Sequence, residues 1–162
     1  MREVRQPRAG APARWALADP PPPLPCHLLP RAQHPEVAHG EDRSGSTAIA
    51  VVVTPTHVIC ANCGDSRSVM VRGGGAAGDA ATEEMSYDHK PYNPDEMRRI
   101  QAAGGTVTMR RVNGDLAVSR ALGDFVYKHR DDLPAEQQQV SAEPDIKIVE
   151  RRANDVVRVL AR

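Results

Sequence analysis

From Gly45 onward the chain is cut into short apolar runs, the longest being the six residues Ala48–Val53. Runs of that length build strands, because a helix needs apolar residues recurring over at least 10–12 positions, roughly three turns. Ser46–Val53, rich in Val and Ile and stopped by Thr54-Pro55, reads as a buried strand. His57–Asn62 and Ser66–Arg72 read as two more. Cys63-Gly64-Asp65 between them has the composition of a tight hairpin connection. Farther on, Asp145–Glu150 alternates apolar and polar, and Asn154-Asp155 turns the chain into Val156–Leu160. Both are expected strands.

One helix interrupts this pattern. Asn93 is a good N-cap, Pro94 suits the first helical position, and Glu96 is placed to complete a capping box. The helix is expected to run to Ala103 and leave through Gly104-Gly105 in the left-handed conformation. Met97, Ile100 and Ala103 share its apolar face. Thr106–Val112 and Asp115–Ser119 are expected to pair as a hairpin across Asn113-Gly114. Arg120–Phe125 reads as a short helix or turn, and Asp131–Gln139 as polar loop. The fold class is α+β with several antiparallel strands. No internal repeat is visible.

Residues 1–44 differ in kind. They hold most of the 14 prolines and lack hydrophobic periodicity, so they cannot bury enough apolar area to offset ordering entropy and are expected to be disordered. Their Arg- and Ala-rich, acid-poor start shares features of an organellar transit peptide, but the Pro20–Pro23 run opposes the helix such a peptide needs. The folded part is one domain, residues 45–162. With aromatics at only 3%, its core must come from Val, Ile, Leu and Ala. The net charge of +0 carries no basic stripe for nucleic acid, and six apolar residues are far short of a membrane span of about 20. Three cysteines, an odd number, do not suggest a disulfide framework, and an intracellular setting, cytoplasmic or nuclear, is expected for a monomer.

The specific information lies in consecutive motifs. Gly45-Ser46-Thr47-Ala48 opens a strand, and Ala61-Asn62-Cys63-Gly64-Asp65-Ser66-Arg67 sits at a corner. Asp88-His89-Lys90-Pro91 precedes the helix, which ends at Ala103-Gly104-Gly105. Arg111-Val112-Asn113-Gly114 leads to Leu116-Ala117-Val118-Ser119-Arg120-Ala121-Leu122-Gly123-Asp124-Phe125, and Val140-Ser141-Ala142-Glu143-Pro144-Asp145-Ile146 follows a polar loop. In this order and spacing the chain resembles the PP2C (PPM) family of metal-dependent protein serine/threonine phosphatases, over about seven-tenths of its length.

The resemblance implies a partial PP2C-type antiparallel β-sandwich flanked by helices, incomplete at both ends. It implies hydrolysis of phosphoserine and phosphothreonine in phosphoprotein substrates by water bridging two Mg2+ or Mn2+ ions. Such ions take oxygen ligands in octahedral geometry, and the pair acidifies the attacking water and clamps the phosphoryl oxygens. Asp65, in the family's Cys-Gly-Asp-Ser-Arg motif, is the metal ligand that carries over, to a third and weaker metal position. It can equally serve its own turn as a hydrogen-bond acceptor. The family's other ligand motifs have no counterpart in the sequence: an acidic pair near the N-terminus, an Asp-Gly-His-Gly-Gly, and an Asp-Gly after the strand matching Val156–Leu160. Ala38-His39-Gly40-Glu41-Asp42 does not replace the histidine motif. Two readings stand: a phosphatase, or a truncated relative without catalysis that at most binds phosphoproteins. Strands missing from a sandwich also leave open edges, and marginal stability is expected.

Other candidates read as structural. Cys60-Ala-Asn-Cys63 lacks the second ligand pair that zinc requires. Gly73-Gly74-Gly75 lacks the Gly-Lys-Ser/Thr ending of a phosphate loop, and Gly73–Ala81 reads as a surface loop. His89 reads as a capping or surface residue, and Arg120 with Asp124 as a local ion pair.

Overall fold

The structure, a computed structural model, describes residues 43–73 and 81–160. The expected disorder of residues 1–44 therefore lies almost wholly outside the described residues, as does most of the expected loop at 73–81.

Two three-stranded antiparallel sheets form the frame. The first places β2 (Ala48–Val53), β3 (His57–Cys63) and β9 (Asp145–Glu150) in the order β2-β3-β9. The second places β4 (Arg67–Arg72), β5 (Ala81–Glu84) and β10 (Val156–Leu160) in the order β10-β4-β5. Two short pairs complete the strands: β1 (Gly45–Ser46) with β8 (Leu122–Gly123), and β6 (Val107–Thr108) with β7 (Arg111–Val112). The helix α1 is Pro94–Ala102, and 3-10 turns occupy Phe125–Tyr127 and Ala135–Gln137. Among the described residues no helix is long and apolar enough to cross a membrane.

Period-two alternation gives each sheet an inner face. Val58 and Cys60 of β3 meet Met70 of β4 and Met85, with Ile49, Val51, Val149 and Val157 packed around them. A second core lies under α1, where Ile100, Val112, Ala121 and Val140 are buried against Val107, Leu116, Val118 and Tyr127. The expected aliphatic residues fill the second core, whereas Cys60, Met70 and Met85 join Val58 in the first, where only Val, Ile, Leu and Ala were expected.

Three local expectations are corrected. The Cys63-Gly64-Asp65 corner is no hairpin, since β3 and β4 belong to different sheets. It carries the chain from one sheet to the other, which is why Gly64 adopts φ +116°. The hairpin near Asn113-Gly114 turns at Met109-Arg110 instead, both at positive φ, so that β6 pairs with β7. Asn113-Gly114 makes its own turn, but it supports only one bridge, Val112 to Leu116. The capping box at α1 does not form. Asn93 makes no side-chain cap and donates to the Asp88 carbonyl at 2.8 Å. Glu96 is 4% exposed and turns inward beside Ile100 and Ala103, while Met97 is only half-buried.

Candidate functional site

Asp65 stands where the chain leaves the first sheet. Its corner is fixed by a strap, Tyr87–Lys90, that lies alongside residues 62–67. Asn62 Nδ2 donates to the Tyr87 carbonyl at 2.8 Å and to the Gly64 carbonyl at 3.2 Å. The Gly64 N–H donates to Nδ1 of His89 at 3.0 Å, and the His89 N–H returns to the Gly64 carbonyl at 3.0 Å. The Lys90 ammonium pairs with Oδ2 of Asp65. Arg67 grips Asp88 with two hydrogen bonds of 2.6 and 3.0 Å. On the other side, Thr47 and Ser66 share a hydroxyl hydrogen bond of 2.9 Å.

Gly64 admits no side chain. A Cβ there would sit 2.4 Å from Cγ2 of Thr47, on a backbone already in a glycine conformation. The corner thus has one allowed geometry, and the direction of Asp65 follows from it.

The strap is anchored in turn to a partly buried ionic network. His89, 3% exposed, is no surface residue, contrary to expectation. Accepting from Gly64 at Nδ1 puts its proton on Nε2, which faces Oδ2 of Asp145 at 3.0 Å. Asp145 Oδ1 receives Arg120 at 2.8 Å, and Arg120 also holds Glu96 at 2.8 Å. The expected Arg120–Asp124 pair is therefore corrected. Asp124 follows Gly123 in the left-handed conformation, which turns its carboxylate to the Cα of Gly45 and away from Arg120.

Glu96 accepts from Arg120, Arg99 and Ser119. Burial pushes its carboxyl upward, but these donors outweigh burial and hold it down at about 2. Asp145 follows the same logic: burial raises it, and His89 and Arg120 together bring it below the usual carboxylate range. The network is charged on both sides and is fully donor-matched, which keeps it ionised.

The other candidates are structural. Cys60 and Cys63 are free and buried, in different surroundings: Cys60 packs between the sheets, and Cys63 lies 3.8 Å from the Ser141 carbonyl. Burial pushes both thiols up, which leaves them unreactive.

Among the described residues no group of three or more His, Cys, Asp or Glu is disposed to hold a metal ion. Asp65 contributes a single carboxylate, and Lys90 already occupies one of its oxygens. The described residues do not fit a binuclear centre, because each ion needs several protein oxygens to offset its lost hydration. Sequence reasoning missed two contributors to the corner, His89 and Lys90. Their signal was present as the motif Asp88-His89-Lys90-Pro91, but its spacing alone does not say that it folds back on residue 64.

Comparison with known proteins places this geometry. The profile of the family described as protein phosphatase 2C matches residues 29–162. Protein phosphatase 1B of Rattus norvegicus is 48% identical over 126 residues, 78% of this chain and 31% of the relative. Protein phosphatase 1A of Homo sapiens is 48% identical over 120 residues, 74% of this chain and 30% of the relative. The chain thus spans about a third of the length of these relatives. Among solved structures, a phosphatase from Toxoplasma gondii superposes with a TM-score of 0.57 at 39% identity, covering 64% of this chain and 30% of that one. A sex-determining protein of C. elegans gives 0.61 at 26% identity, over 82% and 31%. These neighbours bear out the α+β sandwich as a partial domain, and the chain belongs to the protein phosphatase 2C family.

Proposed function

We propose that this chain is the part of a metal-dependent protein serine/threonine phosphatase that carries the Asp65 corner. The complete activity is hydrolysis of phosphoserine and phosphothreonine esters in phosphoproteins. Asp65 is a ligand to a peripheral Mg2+ or Mn2+ position, and residues 45–162 are the phosphatase part of the chain. The observation that supports this most directly is the rigidity of the corner. A glycine that tolerates no Cβ and a strap of four side-chain contacts fix the backbone that carries the Asp65 carboxylate. A turn that needed Asp65 only for its own hydrogen bonds would not require such a frame. In such a phosphatase the bound ions supply the nucleophilic water and the charge stabilisation.

The ligand count favours the second reading for the chain acting alone. One carboxylate among the described residues does not assemble a metal pair. The purified chain is therefore expected to be catalytically silent. Free, buried cysteines suit a reducing intracellular compartment, and a monomer is part of the same proposal. The test is hydrolysis of a phosphothreonine peptide with and without Mn2+. No turnover above buffer is the expected result. Mn2+-dependent turnover that Asp65→Ala abolishes would overturn the silent reading and establish the phosphatase in this chain alone.

A further inference from the structure

We propose that the cavity lined by Asp115 and Asp124 is a binding site for the arginine side chain of a peptide partner. Its lining shares no residue with the Asp65 corner, so the site stands whether or not a metal binds there.

The cavity is half-open and holds about 320 Å³, room for one large side chain. Asp124 enters it from the left-handed turn after Gly123, with its backbone N–H given to the Ser44 carbonyl at 2.8 Å. The residue is 7% exposed, yet its carboxylate takes no hydrogen bond and no ion pair among the described residues. It does not cap the 3-10 turn Phe125–Tyr127 that it precedes. Lys128 acts on it only from a distance, since its ammonium is given to the Ala121 carbonyl at 2.6 Å. Burial therefore pushes the Asp124 carboxyl above the ordinary range, against Lys128 and with help from Asp115.

The chain also makes room for this group. A Cβ at Gly45 would lie 2.0 Å from Oδ2 of Asp124, so the carboxylate occupies space that only a glycine leaves. A buried carboxylate without donors destabilises the fold, and a neutral residue at 124 would avoid that cost. A charge that nothing inside the chain matches, on the wall of a cavity, is matched from outside.

The other walls say by what. Asp115 supplies a second carboxylate, held by the Tyr127 hydroxyl, which donates to its Oδ2 at 2.9 Å and leaves Oδ1 for another donor. Leu116 and Val126 add apolar surface. Arg43 lines the cavity too, but forms an ion pair with neither carboxylate. Among the described residues no third acidic or imidazole group joins the two aspartates, so the cavity does not suit a metal ion. Two carboxylates beside an apolar wall suit a long aliphatic stem that ends in a delocalised cation. The planar donor fork of a guanidinium serves both carboxylates at once, which a point-charge ammonium does less well. Because the cavity is open on one side, the side chain enters while the backbone that carries it stays outside.

The probe is N-acetyl-arginine N-methylamide, titrated into the 15N-labelled full chain and read at the Leu116 and Val126 amides. Saturable shifts in the millimolar range are expected. The neutral isostere N-acetyl-citrulline N-methylamide should give none, and free arginine should bind no more tightly than the capped form. Asp124→Asn should weaken binding about ten-fold. The same substitution should raise the thermal midpoint, because it removes an unmatched buried charge.

Equal shifts with the citrulline compound, or unchanged affinity in Asp124→Asn, overturn the proposal. Tighter binding of free arginine replaces the peptide by a small molecule and overturns it as well. A loss of stability or of folding in Asp124→Asn reveals an internal partner for the carboxylate, with the same result. In the wild-type chain, the capped arginine should move the 13C titration of the Asp124 carboxyl to lower pH. A carboxyl that does not move while the amides shift places the binding elsewhere and overturns the site.

Discussion

The two cores of this molecule are stabilised by different means. Under α1, four fully enclosed apolar side chains are backed by Glu96 and its two arginines, so that apolar packing and a buried ion network close the same space. Between the sheets, Val58, Cys60, Met70 and Met85 pack with no ion pair among them, the buried hydroxyl of Ser68 beside Cys60 being their polar neighbour, and the opposite face of the first sheet is open. By register that outer face carries Ala50, Val52, Ile59, Ala61, Ile146 and Ile148. Val52, Ile146 and Ile148 are 56%, 56% and 60% exposed. A site made at the seam of two such regions takes its rigidity from the charged one. The strap residue His89 reaches into the network through Asp145, and the corner it clamps belongs to the sheet.

The largest effect should come from cutting that network. Glu96→Ala leaves Arg99 partly buried without a carboxylate and Arg120 with Asp145 alone, a loss of about 3 kcal/mol in denaturant unfolding. A loss below about 1 kcal/mol would show that the helix-side core does not depend on its ions, and the contrast between the cores would fail. Acid should reproduce the loss reversibly. The Glu96 carboxyl titrates near 2 in the fold against an ordinary 4.5. A depressed carboxyl contributes stability that is complete above the unfolded value and is lost as pH falls through the folded one. Stability on the order of 3 kcal/mol should therefore drain away between about pH 4.5 and 2. Glu96→Gln should flatten that slope, and a slope that persists unchanged would assign it to other carboxylates.

How much of this was legible beforehand divides along the same line. Each long strand and the helix were readable from periodicity and from Pro94 and Gly104, because those signals are local. The family was readable from motif order. The partners of Glu96 were not, since an N3 glutamate has the same sequence signature whether it caps its own helix or reaches 24 residues along the chain to Arg120. Likewise Asp124 lies four residues from Arg120, but the left-handed turn after Gly123 sends it elsewhere. The hairpin turned at Met109-Arg110 because tertiary packing of Val107 and Val112 outweighed the preference of Asn113-Gly114. Asp65 was found by its motif, and its dependence on His89 and Lys90 only by the fold.

The open core should respond more weakly to the loss of a large side chain. Met70 is fully enclosed, and long flexible side chains tie the sheets around it across their edges, Arg72 to the Glu150 carbonyl and Lys147 to Glu83. Met70→Ala should cost about 2 kcal/mol, the low end for a core truncation, because the sheets can close over the gap. A cost of about 4 kcal/mol would mean that the sandwich packs as tightly as the helix-side core, and the comparison would need to be redrawn.

The smallest effect on stability should carry the most information about the open face. Ile148 lies on an edge strand and is flanked by Ile59 across the ladder, so the apolar surface there is continuous rather than scattered. Patches of that kind drive association of chains, and an edge strand with unpaired backbone groups adds to the hazard. Ile148→Thr keeps the β-branched shape that a strand favours and removes apolar area already in contact with water. Unfolding free energy should therefore change by no more than about 0.5 kcal/mol. The concentration at which the chain begins to scatter light should nevertheless rise. A clear loss of stability would mean that something covers the face in solution, and Ile148 would then belong to a third core rather than to the open side of the first.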